Sequence, residues 1–227
     1  MKAAIMGYGT IGSGVYEDLD RNCKIVEKKA GEPIEVKYIL DLREFPGTPI
    51  EKLVIHDVKT IVDDPEIGIV VETMGGTTPA YEFVKSCLLA GKHVVTSNKA
   101  LVAAHGTELI RIAAEKNVSF LFEASVGGGI PIIRPLVECL GGEEIEEISG
   151  ILNGTTNYIL TKMNEEGWSF EEALKRAQEL GYAERNPEAD VEGYDTCRKI
   201  AILTAVATGK EVDYEKIPTE EIGRAHV

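Results

Sequence analysis

Gly7-Tyr8-Gly9-Thr10-Ile11-Gly12 decides the fold. The apolar run 2–6 leads directly into it, and Val15, Leu19, Cys23 and Val26 follow at helical spacing. A strand, a glycine turn and a helix in that order form a phosphate cradle. Gly7 permits the tight turn, Gly9 lets backbone approach a pyrophosphate, and Gly12 lets the helix pack closely on the strand. The diphosphate then rests on the helix N-terminus, where unpaired N–H groups and the helix dipole favour an anion. Gly7, Gly9, Thr10, Ile11 and Gly12 are therefore the expected cofactor contacts of a nicotinamide-dinucleotide site.

Working outward, short apolar runs at 36–40, 68–72, 93–96 and 118–122 alternate with longer amphipathic stretches. That rhythm predicts an α/β, Rossmann-type doubly wound parallel sheet. The first helix is read as one long element ended by Gly31 and Pro33, and Thr78 and Pro79 as the cap and first residue of a helix reaching residue 89. Asp41 closes the second strand, where a carboxylate can accept from ribose hydroxyls and repel a 2′-phosphate, which favours NAD. Arg43 can pair with that phosphate instead, which leaves NADP open. Asp41 lies farther from Gly12 than the usual ~20 residues, which the long first helix and the loop 31–35 account for.

The glycine-rich stretch Val126-Gly127-Gly128-Gly129-Ile130-Pro131 marks a change of character, and the domain boundary is placed there: a dinucleotide domain at 1–128 and a second, α+β domain at 129–220. In the second domain, residues 144–152 read as a strand. Ser169 with Glu172 makes a capping box for a helix whose apolar face is Phe170, Ala173, Leu174, Ala177 and Leu180, and a further helix is expected from about 191 to 208. Residues 221–227 read as a non-native tail.

Composition narrows the partners. A net charge of −14 without any Lys/Arg-rich block argues against nucleic acid or an anionic membrane and for a small soluble ligand. Cys23, Cys87, Cys139 and Cys197 form no C-x-x-C pair, and His56, His93 and His105 fit no metal spacing. No apolar run approaches about 18 residues, so a cytoplasmic protein with reduced thiols is expected.

Four further segments exceed what nucleotide binding needs. They are Val95-Thr96-Ser97-Asn98-Lys99-Ala100-Leu101, Glu123-Ala124-Ser125 running into the glycine-rich stretch, Asn153-Gly154-Thr155-Thr156-Asn157-Tyr158, and Gly181-Tyr182-Ala183-Glu184 through Asp190, Asp195 and Lys199. In this order and spacing the chain from 1 to about 208 resembles homoserine dehydrogenase. The resemblance implies reversible NAD(P)-dependent oxidation of L-homoserine to L-aspartate 4-semialdehyde, a second domain that pairs subunits into a homodimer, and a chain longer than this one, whose later part completes the nucleotide domain.

It also implies residue roles. Lys199 is the expected proton donor and acceptor, with Lys99 as its positioning or electrostatic partner; two converging ammonium groups would lower the pKa of at least one. Glu184, Asp190 and Asp195, with the backbone of Gly181, are the expected hosts of the substrate's ammonium group. Asp195 and Lys199, spaced i, i+4, would share one helix face. Thr155 is the candidate donor to the substrate carboxylate, and the Asn153–Thr156 stretch reads equally well as a helix cap. Thr73 matches a cofactor-touching position. Glu123 with the carbonyls of Val126, Gly128 and Ile130 matches a sodium site, although the same loop also reads as a hinge. Asn186 stands where the family often has aspartate. Another two-domain NAD(P) oxidoreductase, or a non-catalytic nucleotide-binding fragment, are the competing readings.

Overall fold

The computed structural model describes residues 1–222; residues 223–227, and with them most of the expected tail, lie outside the described residues. The chain divides into two compact units that meet between Ile132 and Ile133, against the sequence boundary at 128/129.

The first unit is a six-stranded sheet of β1 (Lys2–Met6), β2 (Glu35–Leu40), β3 (Val54–Ile55), β4 (Ile67–Glu72), β5 (His93–Thr96) and β6 (Phe120–Leu121). The order is β3-β2-β1-β4-β5-β6, and every pairing is parallel. This is the doubly wound α/β sheet that the alternation predicts. The strand order reverses between β1 and β4, and open α/β sheets bind ligands beyond the strand C-termini at that point. Helices α1 (Thr10–Arg21), α2 (Cys23–Ala30), α3 (Lys59–Val62), α4 (Ala80–Leu89) and α5 (Lys99–Glu115) connect the strands. Ala4, Ile5, Met6 and Val70 are fully buried, as expected of central parallel strands covered on both faces.

Three local expectations are corrected. The long first helix is two helices, because the backbone at Asn22 leaves the helical region at φ −102 and ψ 17. Gly31, at φ +84, then ends the second one as a left-handed cap. Helix α4 starts at Ala80, with Pro79 rather than Thr78 in the cap position and no side-chain cap bond. The last strand is confined to Phe120 and Leu121, since only Val94 and Val95 of β5 offer it partners.

The second unit is helical among its described residues: α6 (Gly154–Glu166), α7 (Phe170–Glu179), α8 (Glu188–Val191) and α9 (Tyr194–Thr208). The strand expected at 144–152 is absent. A strand needs a neighbour to receive its N–H and C=O groups, and this unit has no other strand among its described residues; the segment is mostly exposed and carries Glu144, Glu146 and Glu147. The Ser169 hydroxyl accepts the Glu172 N–H at 3.2 Å and starts α7 as the capping signal predicts. Ala173 and Ala177 of that helix join Ile159 and Ala183 in a core flanked by Trp168, Phe170 and Leu174, whereas Leu180 is half exposed. The helix expected from 191 breaks at Gly193, whose φ of +78 separates α8 from α9.

Candidate active site

The glycine turn at the end of β1 carries different constraints at each glycine. Gly7 has φ +93, and a Cβ there would meet the Met74 backbone at 3.0 Å. At Gly12 a Cβ would lie 2.0 Å from the Gly7 carbonyl oxygen and 2.9 Å from the Thr73 hydroxyl, so only glycine lets α1 sit this close to the turn. Gly9 is different, because nothing within 4 Å would meet its Cβ. Protein packing does not account for that glycine, and the space beside it is open. Helix α1 starts there without a side-chain cap or an acidic residue in its first turn, and Thr10 and Ile11 are exposed. The arrangement suits a diphosphate. Thr73 braces it, donating its hydroxyl to the Gly7 carbonyl at 2.8 Å.

Asp41 does not stand free at the end of β2. Its carboxylate accepts the Tyr8 N–H at 2.8 Å, the Arg43 N–H at 3.0 Å, and Arg43 Nε and Nη2 at 2.9 and 2.8 Å. Arg43 Nη2 also donates to the Tyr8 carbonyl at 2.9 Å. The Arg43 guanidinium, and then the two backbone N–H groups, hold the Asp41 carboxyl well below the usual carboxylate range against an opposing cost of burial. Asp41 thus fastens the glycine turn to the loop after β2, and Arg43, 60% exposed, is the charge presented to solvent.

Glu72, at the end of β4, escapes a reading based on motifs, yet it is fully buried. It accepts the Thr96 hydroxyl at 2.5 Å and the Met74 N–H at 2.8 Å, and contacts the Asn98 amide at 3.4 Å. Asn98 caps α5 by accepting the Leu101 N–H at 3.1 Å, and donates to the Gly76 carbonyl at 2.6 Å. Lys99 is therefore the first residue of a helix whose start is tied to a buried carboxylate. A cation in that first turn works against the helix dipole, so helix stability does not account for it. A charged residue closing the otherwise apolar run 67–71 is the signal the sequence offers for Glu72.

The loop after β6 folds tightly: the Ile130 N–H donates to the Gly127 carbonyl at 3.0 Å, and a Cβ on Gly127 would lie 2.3 Å from the Ile130 oxygen. Glu123 accepts the Ile132 N–H at 2.5 Å. Among the described residues no group of three or more His, Cys, Asp or Glu side chains is placed to hold a metal. His56, His93 and His105 have structural partners: the Asp41 carbonyl and Glu44, the Ser119 N–H, and the Tyr81 ring.

In the second unit, Lys199 and Asp195 form an ion pair of 2.7 Å across one turn of α9, as their i, i+4 spacing predicts. The Lys199 ammonium also donates to the Leu152 carbonyl at 2.6 Å. Asn153 donates its amide to Asp190 at 2.7 Å and to Asp195 at 3.0 Å. Asp195 is 4% exposed. Burial lowers the pKa of Lys199 from the ordinary lysine value, and the negative charge of Asp190 opposes it. The expected cause was a second ammonium; desolvation is the cause here.

Asn153 also caps α6, accepting the Thr156 N–H at 2.9 Å. The Thr155 hydroxyl donates to the Tyr182 carbonyl at 2.7 Å, which ties the turn at Gly181, φ +78, to the start of α6. Its proton is thus engaged within the protein, contrary to the expectation of a ready donor to substrate. Glu184 is exposed, and its carbonyl accepts the Gln178 amide at 3.1 Å. Asp190, Asp195 and Lys199 are brought together, and Thr155 meets the turn at 181–182, while Glu184 faces solvent.

Comparison with known proteins gives a single answer. The profile of the homoserine dehydrogenase NAD-binding domain matches residues 7–123, and that of homoserine dehydrogenase matches residues 131–226. A homoserine dehydrogenase from Synechocystis is 47% identical over 98% of this chain, which covers 52% of that relative. A crystal structure of homoserine dehydrogenase from Thiobacillus denitrificans superposes with a TM-score of 0.87 at 42% identity, over 99% of this chain and 52% of the other. A hyperthermophilic archaeal homoserine dehydrogenase in complex with NADPH has a TM-score of 0.79 at 30% identity, over 92% of this chain and 70% of the other. The chain spans about half the length of the curated relatives it matches. With both units matched and the glycine turn and the lysine–aspartate cluster formed, this chain belongs to the homoserine dehydrogenase family.

Proposed function

We propose that this chain carries the cofactor-binding and proton-transfer parts of an enzyme that interconverts L-homoserine and L-aspartate 4-semialdehyde. The observation that carries this reading is Lys199, 14% exposed and held between Asp195 and the Leu152 carbonyl. A half-buried amine of lowered pKa takes the hydroxyl proton of an alcohol in one direction and returns it to an aldehyde in the other. Asp190 and Asp195 offer negative charge to the substrate's ammonium group, with Glu184 and the Gly181 backbone beside them in the same proposal. Lys99, set by the Asn98 cap, adds positive charge at the C-terminal edge of the sheet. Thr155 acts by holding the turn at 181–182 and, through its remaining lone pairs, as an acceptor.

The bound dinucleotide accepts or returns the hydride. Gly7, Gly9, Thr10, Ile11 and Gly12 would hold its diphosphate, with Thr73 and Lys99 near the sheet edge. The ion pair changes the reading of Asp41: its oxygens already accept from Tyr8 and Arg43, while Arg43 is exposed. NADP therefore has a ready phosphate partner, and NAD has only a partly engaged ribose acceptor. The NADPH complex of the archaeal relative is in keeping with this. Glu123 and the carbonyls of Val126, Gly128 and Ile130 are proposed to hold sodium.

A homodimer in the cytoplasm completes the reading. Exposed Val137, Leu140 and Ile151 in the second unit support the first part, and four free cysteines the second.

The test is reduction of NAD and of NADP with L-homoserine, by this chain and by one extended to the relatives' length. Turnover of homoserine by either supports the reading; turnover of other alcohols with none of homoserine overturns it. Lys199→Ala is expected to lower kcat by about 10²–10⁴-fold with cofactor affinity unchanged, and retained turnover would remove its acid–base role.

A further inference from the structure

We infer that Asn153 is a positioning residue: it clamps the carboxylates of Asp190 and Asp195 together around the Lys199 ammonium, and the cap it forms on α6 fixes which way its amide points. The inference rests on Lys199 as the proton-transfer group proposed above and adds a residue that acts only through it.

An asparagine side chain has one acceptor oxygen and one donor nitrogen, and which lies where is normally ambiguous. Here the oxygen is committed, since it accepts the Thr156 N–H at 2.9 Å as the N-cap of α6. The amide nitrogen must then face the other way, and there it meets Asp190 at 2.7 Å and Asp195 at 3.0 Å. Two carboxylates would otherwise repel across this gap. A neutral group with two N–H donors lets both approach without neutralising either, so their charge remains available. The residue just before, Leu152, supplies the carbonyl that takes the Lys199 ammonium at 2.6 Å. One short segment thus holds the lysine by its backbone and the two carboxylates by its side chain.

The groups facing Lys199 are Asp195 on its own helix, Asp190 on α8, and the Leu152 carbonyl before α6. If Asn153 loses its donors, the negative charge of the two carboxylates bears more fully on the lysine. The charged amine is then favoured and less neutral amine is present at a given pH.

Capping and clamping can be separated. Asn153→Ser keeps a strong N-cap acceptor but removes the amide donors, and Asn153→Asp keeps the acceptor and adds a third carboxylate. Each variant is treated with acetic anhydride across a pH series, and acetylation of Lys199 is read by mass spectrometry, which requires no turnover. The pH dependence of kcat with L-homoserine is measured in parallel on the extended chain.

The midpoint of Lys199 acetylation is expected to move upward by about half a unit or more in Asn153→Ser, and further in Asn153→Asp. Thermal stability of the serine variant should stay close to that of the parent chain. In the kinetic series kcat should fall by about threefold or more near neutral pH, in step with the moved midpoint, and recover as pH rises, with cofactor affinity unchanged. An unchanged midpoint in both variants would overturn the inference, as would a loss of kcat that no rise in pH restores. A moved midpoint in a protein that never oxidises homoserine would instead overturn the proposed function and leave the clamp standing.

Discussion

In the proposed function the first unit offers mostly backbone to a ligand, whereas the second offers charged side chains. At the end of β1 the decisive atoms are N–H groups at an uncapped helix start, and three glycines keep the space around them clear. In the helical unit, an ammonium and two carboxylates are gathered from α8 and α9 and held by a residue before α6. A backbone site depends on closeness and tolerates no added atom. A side-chain site depends on charge balance and can lose its chemistry while its helices stay intact.

The sharpest way to break that contrast is Gly12→Ala. The added Cβ would sit 2.0 Å from the Gly7 carbonyl, an overlap that no flexible side chain can relieve because the obstructing atom is backbone. The turn or α1 must shift, at an expected cost of about 3 kcal/mol or more to the first unit, together with loss of dinucleotide binding. Chemical denaturation and a cofactor titration check it. Gly9→Ala is the companion, since its Cβ meets nothing within 4 Å. Stability there should change little while cofactor affinity falls; retained affinity would mean that Gly9 does not line the cradle.

Asp41→Asn probes the one place where the backbone site leans on charge. The native carboxylate accepts from Arg43 and from the Tyr8 N–H, and its pKa lies well below the usual range, chiefly through Arg43. A depressed carboxyl pKa contributes stability above the unfolded-state value, near pH 4, and loses it as pH falls through the folded-state value. Asp41→Asn is therefore expected to destabilise the first unit by about 1.5–3 kcal/mol at pH 7. The gap to the parent should narrow as the pH drops below about 4. A gap independent of pH would indicate that the carboxylate's charge contributes nothing.

The same contrast explains what could be read from the chain alone. The sheet announces itself locally: apolar runs, a glycine turn and regular alternation are all short-range patterns, and four strands fall within a residue of expectation. The ion pair of Asp195 and Lys199 is likewise local, one helical turn apart. The contacts that escaped are long-range. The amide of Asn153 reaches Asp190 and Asp195 across α6 and α7, and Glu72 finds Thr96 and Asn98 only once β4 and β5 pair. Residues 144–152 do not form the expected strand because local sequence reports only a segment's preference, while a strand also requires a neighbour. Asp41 was placed at the correct strand end, but its engagement by Arg43 depends on side-chain geometry that spacing does not encode.

Thr155→Val gives the smallest expected effect and the finest test of the side-chain site. The hydroxyl of Thr155, a residue 8% exposed, donates to the Tyr182 carbonyl at 2.7 Å, so its removal leaves that carbonyl short of a donor. Valine preserves the shape, and the stability cost should be about 1 kcal/mol. If Thr155 only secures the turn at 181–182, KM for homoserine should rise modestly in step with the loosened turn, and Thr155→Ser should restore it. If the hydroxyl also accepts from the substrate, kcat/KM should fall by roughly tenfold beyond what the stability loss explains, because the partner's donor is then left unpaired in a dry site. Equal kinetics in all three proteins would reduce Thr155 to a brace with no consequence for the bound alcohol. The charged cluster of Asp190, Asp195 and Lys199 would then account for substrate recognition in this unit without a hydroxyl from α6.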